Sequence, residues 1–478
     1  MTNIFNRKQA IVIGGGITGL AACYRLIAES KKRGIPLDVK LLEASERVGG
    51  VIRTSKQDGF IIEHGPDAFL SVKPWAKALC EELGIEDQLI GTNPKERRSF
   101  VLRKGKLYPV PEGFYMMAPA SLWPFVKTPI FSWLGKLRMG LDLFIPRGKD
   151  DDESVEHFVK RRLGKEAFTR LAQPMIGGVY TTDAKDLSLK ATMPQFIEME
   201  REYGSIIKAL IARKKKSQQS AGSTSGPRYS LFLSFASGMQ TLIDTLVERL
   251  PDSCIQLGSK VNRVENSPDG EGWHVHLNNQ ERMDADLVCV ALPAWGSATL
   301  VETVAPELAK QLASIPYASS ATINMAFRRE EVAHPLDGMG FVVPTGEGRS
   351  ILGCSFSHVK FEGRAPVDYV LLRSFMADVF HATLFNQSES ELIESVLGDL
   401  RELLGIKGTP TFATVSKHSK AMAQYRVGHL DVVSQIEAYS RKLRGFALAG
   451  NAYRGRGIPD CINSGEEAAQ ILLDSLRD

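Results

Sequence analysis

The sequence predicts an α/β fold of more than one domain, and three observations lead to this prediction. Ala10 to Glu43 reads as a strand, a glycine turn, a helix and a second strand, which together make one βαβ unit. Gly113 to Phe144 is rich in large apolar residues and reads as helical, whereas Ile315 to Ser374 reads as a run of strands. A chain of 478 residues is expected to form two or three domains.

The turn of the βαβ unit has the spacing of a dinucleotide-binding fingerprint, Gly14-Gly15-Gly16-Ile17-Thr18-Gly19. Gly14 permits the tight exit from the strand, Gly16 lets the backbone approach a pyrophosphate, and Gly19 lets the helix pack close to the sheet. Glu43 ends the second strand and is expected to accept hydrogen bonds from a ribose. Glycine clusters are often plain turns, but here the strand, the helix and the acid all agree with nucleotide binding.

A second glycine pair stands close behind the acid, in Arg47-Val48-Gly49-Gly50. A one-nucleotide site has no evident use for it, whereas FAD has a second phosphate and a flavin ring to pass across a backbone. The pair therefore favours FAD over NAD, with a simple surface turn as the alternative.

The bulk composition excludes several classes of protein. The formal net charge is only +4 and no basic and aromatic stripe is present, so nucleic acid is not an expected partner. The six cysteines form no CxxC pair and no histidine stands at metal-ligand spacing, which predicts reduced, buried thiols and no metal. Neither a signal peptide nor a long apolar span is visible, so a cytoplasmic protein that does not cross a bilayer is expected.

Two middle segments differ from the rest in composition. The apolar block from Gly113 to Phe144 is interleaved with lysine and arginine, and its large side chains suit either a core, a pocket wall or a face that lies on a membrane. Lys214 to Lys216 open a serine- and glycine-rich tract, Ser217 to Pro227, which predicts a flexible loop.

The C-terminal part contains a second strand that is followed by a glycine-rich turn and a helix. Asp286 to Leu292 reads as a buried parallel strand, and Phe446 to Asn451 reads as another that runs into a glycine-rich turn. Gly457 and Ile458 then open a terminal helix, whose N–H groups and positive dipole end form a second anion site. In a flavoprotein this site suits the pyrimidine edge of the ring.

Several motifs resemble the bacterial FAD-dependent porphyrinogen oxidases, which are amine-oxidase-like flavoproteins. The resemblance runs from end to end of the chain. The matching motifs are GGGITGLAA with Glu43 and RVGG, the GPD turn at Gly65 to Asp67, GVY at Gly178 to Tyr180, SGMQTL at Ser237 to Leu242, AQYRVGH at Ala423 to His429 and GIPDCI at Gly457 to Ile462.

The resemblance implies a discontinuous Rossmann-like FAD domain (1–50, 232–300 and 440–478), a strand-rich α+β substrate domain (51–96, 212–231 and 301–439) and a helical membrane-associating domain (97–211). It also implies a set of residues that bind FAD: Gly14, Gly15, Gly16, Ile17, Thr18, Gly19, Glu43, Ala44, Arg47, Gly49, Gly50, Gly65, Pro66, Asp67, Val261, Gly450, Gly457 and Ile458.

The implied reaction removes six electrons from a porphyrinogen in heme biosynthesis, with the flavin accepting hydride and oxygen accepting the electrons to give peroxide. Coproporphyrinogen III is the expected substrate and protoporphyrinogen IX a second one. Little protein acid–base chemistry is needed, and no catalytic side chain is assigned. Gly178 and Val179 are expected near the ring. Lys73 is a candidate partner for a propionate, with a solvated surface lysine as the alternative, and Arg454 and Arg456 lie in the turn near the flavin or face solvent.

The resemblance also implies contact with a membrane surface and handover of the product to a later heme-pathway enzyme. Three positions depart from the family pattern and bear on the shape of the cavity: Thr181-Thr182 after GVY, Lys417 and Ala423. Two rival functions share the fold, namely another flavin oxidase or desaturase and a non-enzymatic escort protein of the GDP-dissociation-inhibitor type.

Overall fold

A computed structural model of the protein describes residues 7–112, 114–115, 117–119, 121–220 and 231–476. One end of the molecule is built on a parallel five-stranded sheet, as the first βαβ unit predicts. Both ends of the chain and a middle segment supply its strands, which confirms a Rossmann-like sheet that is discontinuous in sequence. In spatial order the strands are Ile255–Gln256, Leu37–Leu42, Lys8–Ile13, Leu287–Val290 and Phe446–Leu448.

A second, seven-stranded sheet is mixed, because one of its strands runs parallel to its neighbour and the others run antiparallel. The helix Glu389–Leu404 shares a buried apolar cluster with it. This confirms the strand-rich region after Ile315. In spatial order the strands are Phe412–Ala423, Tyr317–Arg328, Tyr369–Ala377, Gly353–Phe356, Gly340–Val342, Phe100–Arg103 and Lys106–Pro109.

The domain boundaries given above stay a prediction, but strand pairing bears on one of them. The hairpin Phe100–Pro109 falls in the segment expected to be helical, 97–211, and it pairs into the seven-stranded sheet. Shorter strands make four small sheets: Phe69–Leu70 with Phe232–Phe235 and Leu89–Gly91; Val261–Asn266 with Trp273–Leu277 and Arg282–Ala285; Thr54–Gln57 with Phe60–Glu63; Phe114–Tyr115 with Ala118–Pro119.

The apolar block is only partly helical. Phe114–Tyr115 and Ala118–Pro119 form a short antiparallel pair, so the helical prediction was wrong there. Pro119 lacks the N–H that a helix interior needs, which is consistent with the difference. Gly113, Met116 and Ala120 lie outside the described residues. The later part of the block contains the expected helices, Leu122–Lys127 and Trp133–Gly140, which are separated by an irregular segment and followed by a 3-10 turn at Leu141–Leu143.

The serine-rich tract begins as helix rather than loop. Ile206–Ser220 is one helix that continues through the lysines, because no glycine or proline interrupts it before Gly222. Residues 221–230 of the predicted loop lie outside the described residues. The other helices of this region are Val155–Leu163, Lys165–Ala167, a π-helical turn at Phe168–Ala172, Gln173–Tyr180, Leu189–Thr192 and Pro194–Tyr203.

A buried ion pair holds the helical region together. Arg162 and Asp142 are both fully buried, and Nε of the arginine lies 2.6 Å from the carboxylate. Asp142 also accepts hydrogen bonds from the Ser205 hydroxyl and the Ile207 N–H, which satisfies both of its oxygens. Within the described part of the chain, no helix has the length and apolar character that crossing a membrane requires.

The remaining helices lie in the other parts of the described chain. They are Ile17–Lys32, Pro74–Leu83, Gln240–Arg249, Ala294–Val301, Pro306–Ala313, Ser357–Lys360, Asp378–Phe385, His429–Ser440 and Ile458–Asp474. All six cysteines are buried and unbridged, as expected.

Candidate active site

The first glycine turn is shaped by close backbone contacts. Gly14 has φ of 107°, and a Cβ there would lie 2.6 Å from the carbonyl oxygen of Ala291 in the neighbouring strand loop. A Cβ on Gly19 would lie 1.9 Å from the Gly14 carbonyl oxygen. Neither position therefore accepts a side chain, which is the role that the fingerprint predicts for them.

The N-terminus of the helix Ile17–Lys32 is available to an anion. Gly16 is its N-cap, no side chain caps its first N–H groups, and no acid stands in its first turn. A Cβ on Gly16 would meet nothing within 4 Å, so there is open space in front of it. This cradle fits a phosphate of a dinucleotide.

Glu43 organises this cradle. Its Oε2 accepts a hydrogen bond from the Gly15 N–H at 2.6 Å, and its Oε1 accepts from the N–H and hydroxyl of Ser45. The acid therefore fixes the glycine turn as well as standing where a ribose acceptor is expected. Ala44 is exposed beside it.

The second glycine pair lies against the first turn. The Gly49 N–H donates to the Gly15 carbonyl at 2.7 Å, and a Cβ on Gly50 would lie 3.3 Å from the Cα of Gly16. Arg47 folds over this pair and donates to the Gly50 and Ile52 carbonyls. The two glycine turns thus form one continuous backbone surface, which fits the length of FAD.

The C-terminal helix Ile458–Asp474 begins beside the first helix. Its N-cap is Gly457, and the Cys461 thiol in its first turn donates to the Arg456 carbonyl. The helices pack so closely that a Cβ on Gly465 would lie 2.3 Å from the Thr18 carbonyl oxygen. Two helix N-termini therefore meet at the same edge of the sheet, where a pyrophosphate and a reduced flavin need positive potential.

The glycine-rich turn before this helix is held by a tyrosine. The Tyr425 hydroxyl donates to the Asn451 carbonyl at 2.8 Å and accepts from the Gly455 N–H at 2.9 Å. Its ring stacks on His429, with centroids 3.9 Å apart, and the Arg456 guanidinium lies over it. The AQYRVGH motif contains Tyr425, but the sequence alone gave it no role.

The GPD turn belongs to a buried charge cluster. Asp67 Oδ2 lies 2.7 Å from Lys360 Nζ and 3.4 Å from Arg373. Burial opposes ionisation, but the charges of Lys360 and Arg373 lower the pKa of Asp67 to about 2. Arg373 also donates to the Gly65 carbonyl. Lys360 and Arg373 were not predicted, since they lie far from Asp67 in sequence.

The other residues assigned to FAD by resemblance are Gly450, Val261 and Pro66. Gly450 follows the last parallel strand with φ of 137°, and its N–H donates to the Ser464 hydroxyl of the C-terminal helix. Val261 is buried at the start of an antiparallel strand. Pro66 lies between Gly65 and Asp67, where the Gly65 backbone packs on the Val51 carbonyl. Their contact with a cofactor stays a prediction.

The three candidate cations near the flavin all have protein partners. Lys73 Nζ lies 2.5 and 2.7 Å from the two carboxylate oxygens of Asp460. Arg454 makes a paired contact with Glu437 at 2.7 and 2.8 Å, and Arg456 donates to the Ala423 carbonyl. Arg454 is thus committed to an ion pair on the surface.

Gly178 lies near the C-terminus of the helix Gln173–Tyr180, with Val179 next to it. Gly178 is exposed, and a Cβ there would meet nothing within 4 Å. The carbonyl of Thr181, just after the helix, accepts a hydrogen bond from Gln424, which precedes Tyr425. This end of the helix therefore approaches the glycine-rich turn of the nucleotide-binding part.

The positions that depart from the family pattern differ in burial. Thr181 and Thr182 are buried, and Thr181 ends its helix with φ of 50°, a conformation that glycine adopts more easily. Ala423 is fully buried, and Lys417 is exposed and donates to the Gln387 carbonyl.

The family model of flavin containing amine oxidoreductases matches residues 17–473 of this chain. The chain belongs to this family. It is an FAD-dependent oxidoreductase, as the two glycine turns and the paired helix N-termini predict.

The relatives support the resemblance drawn from the motifs. Coproporphyrinogen III oxidase of Bacillus subtilis (strain 168) is 34% identical, over 98% of this chain and 99% of that protein. The enzyme of the same description from Staphylococcus aureus is 31% identical over 98% of this chain and all of that protein. Mitochondrial protoporphyrinogen oxidase of Nicotiana tabacum is 29% identical over 98% of this chain and 95% of that protein.

Solved structures agree with the fold. A protein from Exiguobacterium sp. 255-15, proposed to be a protoporphyrinogen oxidase, superposes with a TM-score of 0.84 at 29% identity, covering 98% of this chain and 99% of that one. Reduced UDP-galactopyranose mutase superposes with a TM-score of 0.71 at 14% identity, covering 98% and 96% of the two chains, and this likeness concerns the fold alone. The expected membership of the porphyrinogen oxidase group is confirmed.

Proposed function

We propose that this chain oxidises coproporphyrinogen III to coproporphyrin III in heme biosynthesis, with protoporphyrinogen IX as a poorer substrate and oxygen as electron acceptor. The observation that carries the proposal is the full-length similarity, at 31–34% identity, to coproporphyrinogen III oxidases from three bacteria. The two glycine turns and the pair of helix N-termini form a site that fits FAD, and the similarity to these enzymes covers that site.

Bound FAD supplies the hydride acceptor, and the tasks left to the protein are binding, orientation and exclusion of water. The Gly14–Gly19 turn and the N-terminus of Ile17–Lys32 hold the pyrophosphate, with Glu43 at the ribose. The start of Ile458–Asp474 would favour negative charge on a reduced ring bound beside it, because a helix N-terminus carries free N–H groups and the positive end of the dipole. No described acid–base pair is required, since the pyrrole protons leave to water.

The end of the helix Gln173–Tyr180 is our candidate surface for the substrate. Gly178 is exposed and has open space in front of its Cα, so a bulky macrocycle could approach the backbone there. Gly178 and Val179 are therefore our candidates for contact with the ring. Lys73 stays a candidate for a propionate, although Asp460 competes for its charge.

An exposed apolar face supports docking on a membrane surface. Trp133, Leu134 and Leu137 lie on one side of the helix Trp133–Gly140 and are 68%, 79% and 69% exposed. Trp123 is 69% exposed nearby, and Lys127 and Lys136 lie over the two tryptophan rings at 4.8 and 4.4 Å. Tryptophan with lysine at a surface is typical of the membrane interface. We propose that this face holds the protein at a membrane while the product passes to the next heme-pathway enzyme.

Two rival functions make different demands. An escort protein needs the fold without redox turnover, and another flavin oxidase needs an amine or polyene substrate. Parallel steady-state assays with coproporphyrinogen III and protoporphyrinogen IX, following porphyrin fluorescence and oxygen consumption, separate them. We expect turnover of both, with higher kcat/KM for coproporphyrinogen III. A yellow protein that oxidises neither would overturn the proposal, and a preference for protoporphyrinogen IX would change the substrate.

A further inference from the structure

A cavity of about 700 Å³ lies between the hairpin Phe100–Pro109 and the helical region. Its size is within the range that buries small organic ligands. Phe168 and Gln173 line it from the helical side, and Phe380 lines it from the opposite wall. A Cβ on Gly177 would lie 3.6 Å from the Phe380 ring, so the cavity adjoins the helix that carries Gly178.

The charges around this cavity are not balanced. Its lining contains three acids, of which Asp183 pairs with Lys185, Glu156 pairs with Lys160, and Glu347 accepts the uncharged backbone N–H groups of Lys104 and Gly105. Lys104 and Lys185 line the cavity as well. Two arginines, Arg103 and Arg170, also line it. The cavity therefore has cationic groups in excess of its acids.

The two arginines depend on a single carboxylate. Arg170 pairs with Glu166 and donates to the Ile130 carbonyl, and Glu166 is further held by the Ser132 hydroxyl at 2.7 Å. The half-buried Arg103 forms no ion pair or side-chain hydrogen bond with any residue that the structure describes. Burial and the charge of Arg103 lower the pKa of Arg170, although Glu166 raises it. Because the two guanidinium groups line the same cavity, a carboxylate bound between them would offset their mutual repulsion.

The backbone at this place is irregular. Arg170 lies on the π-helical turn Phe168–Ala172, which interrupts the helix that leads to Gly178. Such turns are rare and occur frequently at functional sites. The strand Phe100–Arg103 contacts this turn, and Arg103 and Arg170 line the same cavity.

We propose that Arg103 and Arg170 together bind a propionate carboxylate of the substrate, and so favour the porphyrinogen with more propionates. This inference rests on the proposed function. Guanidinium groups bind carboxylates in a bidentate, charge-assisted manner, and a propionate is such a carboxylate. Coproporphyrinogen III carries four propionates and protoporphyrinogen IX two, so the former has more ways to place one here while a bridging carbon faces the flavin.

Equilibrium binding of porphyrins to the FAD-loaded enzyme tests this proposal. The probes are coproporphyrin III and its tetramethyl ester, which has the same ring without the negative charges. We expect Arg103→Gln to weaken binding of coproporphyrin III about tenfold and to leave binding of the ester unchanged. Arg103→Lys should recover part of the loss. Lys106→Gln is the matched control, because it removes an equal charge from the other strand of the same hairpin, outside the cavity.

In steady state, the loss should fall on KM for coproporphyrinogen III and leave kcat nearly unchanged. Equal weakening of acid and ester by Arg103→Gln, or no weakening of either, would overturn the inference. Arg170 also contacts Glu166 and the Ile130 carbonyl, so Arg170→Gln is interpreted only if its flavin spectrum is unchanged. The binding measured for Arg103→Gln is the decisive result. Failure of the proposed function would be seen earlier, as a wild-type enzyme that oxidises no porphyrinogen, and the inference would fall with it.

Discussion

Lys73 Nζ lies between the two carboxylate oxygens of Asp460, at 2.5 and 2.7 Å. The pair joins the N-cap of the helix Pro74–Leu83 to the first turn of the C-terminal helix. Asp460 also accepts the Gly457 N–H at 3.2 Å, so the ion pair positions the N-cap of the helix that we propose to face the flavin.

This pair gives the first prediction. Lys73→Met and Asp460→Asn should each weaken FAD retention several-fold, and the double variant should be little worse than either, because both changes break one interaction. Flavin release during dialysis is the measurement. If Lys73→Met raises KM for coproporphyrinogen III well beyond the effect of Asp460→Asn, Lys73 contacts a propionate directly.

The second prediction concerns Glu43. Glu43→Ala should lower FAD affinity by roughly 1–3 kcal/mol, because the ribose loses an acceptor and the Gly15 N–H loses its partner. Glu43→Gln should do less harm, since an amide oxygen still accepts. Flavin absorbance after dialysis reports the change, with the exposed neighbour Glu46→Gln as control. Full retention by Glu43→Ala would contradict this role.

The third prediction tests the apolar face. Replacing Trp123 and Trp133 by Ser should reduce co-sedimentation with vesicles that contain anionic lipid, and the flavin spectrum should stay unchanged. Val367→Ser is the control, because that side chain is 98% exposed elsewhere on the molecule. Equal binding by the variant and the wild type would show that this apolar face does not bind the membrane.

The fourth prediction concerns pH and Asp67. Its pKa in the folded state, about 2, lies below the ordinary value of 3.8. Asp67 therefore contributes about 2 kcal/mol of stability above pH 5, and this contribution falls by about half at pH 3. Asp67→Asn should lower Tm at pH 7, and the gap from wild type should narrow as the pH falls from 5 to 3.

An exposed carboxylate provides the comparison for this experiment. Asp252→Asn should leave Tm unchanged across the same pH range. A gap for Asp67→Asn that stays constant with pH would show that the charges of Lys360 and Arg373 do not act through Asp67.

The sequence by itself determined the nucleotide-binding part of this protein. The strand Lys8–Ile13, the glycine turn and the helix Ile17–Lys32 follow from apolar period and glycine spacing, which act within a few turns of chain. The same holds for the strand Leu37–Leu42, which ends directly before Glu43 as the βαβ pattern predicts. The prediction was wrong at Phe114–Pro119, where two short strands pair. The apolar content had been interpreted as a helix, although proline disfavours a helix.

Only the tertiary structure decided which charges meet. Lys73 is 387 residues from Asp460, and Asp67 is 293 from Lys360, so no local pattern links them. Arg103 and Arg170 line one cavity because the strand Phe100–Arg103 packs against the π-helical turn Phe168–Ala172. Ion pairs depend on distances of a few ångströms, and those distances are set by how distant elements pack and not by the residues beside each charge.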